Sequence, residues 1–188
     1  MSNTPAEFAA AVQALAAAVL AGATDPYQGV GIMTELANFN PTQSAPNSPQ
    51  GNAIAAMQDA VGDLCRRAAV TALARASSVY QPSSYEDAAS LRALVCGLLD
   101  NEILVAGDQG EDTTYGALRT LRAAVAQDLT TRGATLAHIK TFTVKSSLPA
   151  DVLATRLYSD PSRADQLVAQ ADPVHPAFMP VVVQALAE

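Results

Sequence analysis

Thr141-Phe-Thr-Val-Lys-Ser-Ser-Leu-Pro-Ala-Asp-Val-Leu-Ala-Thr-Arg-Leu-Tyr158-Ser-Asp-Pro-Ser-Arg-Ala-Asp-Gln-Leu-Val-Ala-Gln-Ala171 is the stretch whose reading decides the fold. Phe142 and Val144 on either side of Thr143 give the alternation of a short strand. Pro149 then falls in the first turn of a helix that presents Val152, Leu153 and Leu157. Asp160-Pro161 starts a second helix, because Asp caps free amides and Pro is tolerated at the first helical position. Its inner stripe is Ala164, Leu167, Val168 and Ala171. Asp172-Pro173 ends that helix, and the apolar run Val181 to Leu186 supplies a closing strand. Residues 141–188 are therefore expected to form a small α+β module: strand, helix, helix, strand.

Outward from this module the chain reads as alanine-rich helix. Residues 1–37 form an N-terminal helical segment, with a first helix over 4–22 between Pro5 and Gly22. A turn at Asp25-Pro26 leads into a short helical stretch near Ile32 to Ala37. The segment 38–52 is a loop or linker, with three prolines, a glycine and several Asn and Ser residues. A helical bundle is expected over 53–140. Its first helix, about 53–79, carries Ile54, Met57, Val61, Leu64 and Ala68 at alternating spacings of three and four. Ser83 and Glu86 fit a capping box opening the next helix, whose stripe is Leu91, Leu94, Val95, Leu98 and Leu99. A break from Gly107 to Gly110 precedes a third long helix with Leu118, Leu121, Val125 and Leu129, closed by Gly133. The fold class is mainly α, a helical bundle followed by the small α+β module.

Composition narrows the function. The chain has 188 residues, 49% apolar and 15% charged, an ordinary globular balance. Eleven Lys and Arg stand against eighteen Asp and Glu, a formal charge of −7. Nucleic-acid binding needs clustered basic side chains to neutralise phosphates, so no nucleic-acid partner is expected. The longest apolar stretch, Phe8 to Ala21, is shorter than the ~20 residues a membrane-spanning helix requires. It also lacks a basic n-region, so neither a signal peptide nor a membrane partner is expected.

Residues that could carry chemistry read more simply as structure. Cys65 and Cys96 sit at or beside apolar helix positions, as buried free thiols do. With His138 and His175 they could supply four zinc ligands, but zinc ligands come in close sequence pairs and these are far apart. No metal or other cofactor is expected. Asp100 with Glu102, and Glu111 with Asp112, read as solvated carboxylates at helix ends and in a glycine turn. Gly29-Val-Gly31 lacks the preceding strand that a dinucleotide fingerprint needs. With no nucleophile elbow or paired acid and base, the expectation is a protein that is not an enzyme.

One set of fixed spacings points further. Leu121-Arg122, Asp128-Leu129, Arg132-Gly-Ala134, Leu148-Pro-Ala150, Val152-Leu-Ala154, Arg156-Leu-Tyr158, Ser162-Arg-Ala-Asp165, Leu167-Val168 and His175-Pro176 resemble the C-terminal region of the Mu-like phage DNA circularisation proteins. These are tail and baseplate components. Strand, helix, helix, strand is also the order of a LysM module, although the usual glycine and asparagine positions of that module are mostly absent. Ser159 stands where the family has a glycine, so the inter-helix turn is expected to need less positive φ. The family's characteristic N-terminal domain is missing from these 188 residues, which read either as a fragment or as a shorter relative.

The resemblance implies a virion structural protein of a contractile tail or baseplate, joining tail tube or hub to baseplate subunits. Its expected partners are other tail proteins (hub, tube, tape-measure), with self-association through alanine-rich helix faces. Tyr158, Arg163, Asp165, His175 and Pro176 are the candidate interface anchors, or else a helix-capping and turn-fixing set within the module. The alternative is a LysM-type module that binds peptidoglycan or another glycan, for which the segment offers few aromatics: Phe142, Tyr158 and Phe178.

Overall fold

The computed structural model describes residues 4–23, 26–41 and 46–187. Among them are seven α-helices: α1 (Pro5–Gly22), α2 (Pro26–Ala37), α3 (Pro49–Val79), α4 (Tyr85–Asp108), α5 (Asp112–Gly133), α6 (Ala150–Tyr158) and α7 (Ala164–Ala171). Strands β1 (Ile139–Thr143) and β2 (Val182–Leu186) form a two-stranded antiparallel sheet. The class is mainly α with a small α+β module, as the sequence indicates. By contact the chain divides into two compact units, Met1–Gln81 with Ala89–Thr131, and Pro82–Ala88 with Arg132–Glu188.

In the first unit, helix ends follow local chemistry. Thr4 and Glu7 form a reciprocal capping box on α1, with Pro5 in its first turn. α2 begins at Pro26, well before the expected Ile32, and Asp25 of the expected turn lies outside the described residues. α3 begins at Pro49 and not near residue 53. The Ser48 hydroxyl accepts the Gly51 amide at 3.1 Å, and a proline at the first helical position has no amide to leave unsatisfied. The expected linker is shorter by that turn, and its residues 42–45 lie outside the described residues.

The expected α3 stripe is only partly used. Ile54 and Met57 are exposed, Val61 and Leu64 half-buried, and Ala68 buried. The buried part of α3 lies further along, at Ala69, Val70, Leu73 and Ala74, against Met33 of α2, Leu91, Val95 and Leu99 of α4, and Leu118, Val125 and Leu129 of α5. Leu94 of the expected α4 stripe is exposed, and Leu121 of α5 is half-buried. Gly62 admits a close crossing: a Cβ there would stand 2.9 Å from Cδ of Pro41. Gly110, at φ +71, makes the turn between α4 and α5.

α1 corrects one expectation. Pro5–Gly22 is, by length and composition, long and apolar enough to cross a membrane, with mean hydropathy 1.4 over 18 residues. Val12, Ala16 and Leu20 of this helix lie against the first unit's core, and Ala16 alone among its described residues is buried.

In the second unit, β1 pairs with β2 from Ile139↔Leu186 to Thr143↔Val182. Leu153, Ala154, Leu167, Met179, Val183 and Ala185 form its core, with Phe142 and Val144 packed against it. Pro149 is the N-cap of α6, one position outside the helix. Asp160 accepts the Ser162 amide at 2.9 Å, but Pro161–Arg163 makes only a 3-10 turn before α7 starts. Hydrogen bonds from Ser162 hold the Asp160 carboxyl below its usual range.

Two further expectations are overturned here. Ser159 does not relax the turn after α6: it adopts the left-handed conformation, φ +57, and its amide reaches the Thr155 carbonyl at 3.0 Å. Asp172 closes α7 likewise, at φ +40. Gly133, by contrast, does not have positive φ. A Cβ there would stand 2.9 Å from that of Ala88, so close packing is the reason for glycine.

Candidate functional site

The five candidate anchors occupy joints of the second unit. Tyr158 ends α6 and is buried, and the Arg163 guanidinium lies over its ring at 3.6 Å. Arg163 Nε also donates to Gln166 Oε1 at 2.9 Å, which ties the guanidinium to the first turn of α7. His175 is exposed. Its Nδ1 accepts the Ala177 amide at 3.0 Å, and its carbonyl accepts the Phe178 amide at 2.9 Å, fixing a tight turn. The Pro176 carbonyl accepts the Ala150 amide, tying this turn to the start of α6. Asp165 is exposed in the first turn of α7, where a carboxylate faces the positive end of the helix.

The structure thus brings Tyr158 and Arg163 together, and separately joins His175 and Pro176 to the start of α6. The segment after α7 leaves Val174 and Phe178 exposed, with the His175 and Phe178 rings 6.0 Å apart.

A second joint of this unit is not legible as a motif. The capping box expected at Ser83 and Glu86 sits one residue later: the Asp87 amide donates to the Ser84 hydroxyl at 3.1 Å, and the Asp87 carboxylate accepts the Ser83 amide at 2.9 Å. Glu86 is released for another task. Its carboxylate accepts the Ile139 amide at 2.8 Å and meets His138 Nδ1 at 2.9 Å. The Ile139 hydrogen bond first, and His138 second, hold the Glu86 carboxyl below its ordinary 4.5. Tyr85 lies against the His138 ring, 4.4 Å between centroids. The start of α4 is therefore pinned to the start of β1.

The first unit holds the one strongly buried charge among its described residues, and here a sequence reading fails. Glu102 is not a solvated carboxylate at a helix end. It lies within α4, 3% exposed, with Arg66 Nε at 2.7 Å and Arg67 Nε at 3.5 Å. Arg66 also pairs with Asp63 and donates to the Phe39 carbonyl at 3.0 Å. Arg67 reaches Glu111 at 2.6 Å and Gln109 at 2.9 Å. Charge buried this deeply persists only when paired and hydrogen-bonded. The signal was present: Glu102 continues the spacing of Val95, Leu98 and Leu99, so it had to face inward, towards the arginine pair of α3. Asn38, Asn40, Arg66, Asn101 and Glu102 line an open cleft of about 270 Å³ beside this cluster.

Asp100 is held by Arg122 at 2.5 and 2.9 Å, and that pairing raises the guanidinium's pKa. Cys96 is buried, and burial pushes its thiol up; Cys65 is half-buried. Among the described residues no three His, Cys, Asp or Glu side chains gather into a group able to hold a metal ion. No protein-family model matches the chain, and no curated protein matches it.

Proposed function

We propose that the chain is a structural subunit of a contractile phage tail or related particle, working by docking and not by chemistry. What supports this is the fixed-spacing resemblance from Leu121 to Pro176, which starts in α5 of the first unit and from Arg132 onward falls on residues of the second unit. Within it, Tyr158, Arg163, His175 and Pro176 hold the module's joints, and exposed Asp165, Val174 and Phe178 offer contact surface. Rigid side chains of this kind make directional contacts at low entropic cost. The partners are then hub, tube and baseplate subunits, and the place of action is the virion. Flanking genes for a tape-measure protein and a baseplate hub are the expected finding; a neighbourhood without tail genes would refute the reading.

A second reading has one specific observation behind it. Phe178 is largely exposed beside His175, and an exposed aromatic face is a surface on which a sugar ring can stack. A glycan-binding LysM-like module would be retained by insoluble peptidoglycan, and Phe178→Ala would release it. Retention of that kind would reverse the ranking.

A further inference from the structure

α1 has a wide apolar stripe and buries one side of it. Val12, Ala16 and Leu20 pack into the first unit's core. Phe8, Leu15 and Val19 lie three, four or seven residues from Val12, hence along the edge of the same stripe. They are 48%, 64% and 36% exposed. Between Glu7 and Asp25 the sequence has no charged residue at all. An apolar stripe is ordinarily covered across its width, so this exposed edge is one that a partner would cover.

Charge identifies the partner. The first 65 residues contain no Lys, Arg or His; Arg66 is the first basic side chain in the chain. The same stretch carries Glu7, Asp25, Glu35, Asp59 and Asp63. Asp63 pairs with Arg66, while Glu7, Glu35 and Asp59 are exposed. The helices α1, α2 and the first half of α3 therefore present apolar surface together with exposed acidic side chains and no basic one before Arg66. A second copy would bring the same acidic set to the contact, and like charges oppose association. An anionic bilayer is disfavoured for the same reason, since surface-bound helices rely on Lys and Arg near the headgroups.

We infer that the Phe8–Leu15–Val19 face of α1 docks an amphipathic partner helix whose apolar stripe is flanked by Lys or Arg. The apolar stripes supply the contact area, and the acidic residues of the first unit select the basic partner. A chain unrelated to phage tails would show the same binding, so failure of the tail reading leaves this surface standing, and the reverse holds too.

The test uses the full chain and two synthetic helices of about 18 residues with leucine on one face. One carries lysine on its polar face, the other glutamate. The lysine peptide is expected to bind, measured by fluorescence anisotropy, and the glutamate peptide at least ~10-fold more weakly. Raising salt should weaken the lysine complex, because charge contributes. Leu15→Asp should reduce lysine-peptide binding at least ~10-fold with an unchanged circular-dichroism spectrum, since Leu15 is exposed. Phe8→Ser serves as a second variant on the same face.

Binding unaffected by both variants, or equal for both peptides, overturns the proposal. Two other outcomes replace the occupant. Sedimentation as a dimer that Leu15→Asp makes monomeric would assign the face to a second copy. Flotation with phosphatidylcholine vesicles, lost in Leu15→Asp, would assign it to lipid.

Discussion

The two units of the chain reach a defined structure by different means. The first packs long helices around a core in which alanines such as Ala68, Ala69, Ala72 and Ala74 sit among Met33, Leu73, Leu99 and Leu129. Its distinctive contact is polar: Glu102 between Arg66 and Arg67. The second unit is smaller, and its core likewise sets Ala150, Ala154, Ala164 and Ala185 beside Leu153, Leu167 and Met179. Local devices define its turns, with left-handed caps at Ser159 and Asp172 and an arginine over a tyrosine ring. Both cores mix alanine with larger side chains; the first unit adds a buried charge cluster to its core, and the second adds caps and turns.

Breaking the polar contact should have the largest effect. Glu102→Ala leaves two arginines short of a buried partner and is expected to cost roughly 3–5 kcal/mol, read by chemical denaturation. Leu153→Ala in the second unit removes a fully buried side chain and should cost about 2–5 kcal/mol. If the units unfold separately, each variant will shift only its own transition. Arg163→Ala removes the cation from the Tyr158 ring, for a loss of about 1 kcal/mol. Ser159→Gly should instead stabilise by roughly 0.5–1 kcal/mol, because glycine adopts positive φ without the Cβ penalty.

The pH prediction concerns the Glu86 joint. A carboxyl whose folded pKa is lowered contributes stability that is fully present above its unfolded value. That contribution is lost as pH falls through the lowered folded pKa. Stability from Glu86 should therefore hold above pH 4.5 and decline on further acidification. In Glu86→Gln this part of the acid dependence should disappear, measured by thermal unfolding across the acid range.

Much of this was legible in sequence, and the exceptions have physical reasons. Periodicity placed α3, α4, α5 and the strand–helix–helix–strand order, because apolar spacing is imposed by burial. It misjudged the first half of α3, where Ile54 and Met57 keep helical spacing yet remain exposed. Periodicity reports that a face is apolar, not that anything in the same chain covers it. Glu102 was misread because an acidic residue suggests solvent unless its partners are known, and Arg66 is 36 residues away. Ser83 and Glu86 satisfied the capping pattern, while Ser84 and Asp87 satisfied the amides, a one-residue shift that spacing cannot resolve. The candidate anchors Tyr158 and Arg163 could be picked from sequence, but their stacking could not, because it depends on the left-handed turn at Ser159.

The most direct measurement is quantitative mass spectrometry of purified tail-like particles from cells that produce the chain. The proposed function predicts the protein at a fixed ratio to the baseplate hub, retained through gradient purification and salt washes. Its absence from such particles, with the protein recovered instead on peptidoglycan or free in the lysate, would contradict a structural role in the tail.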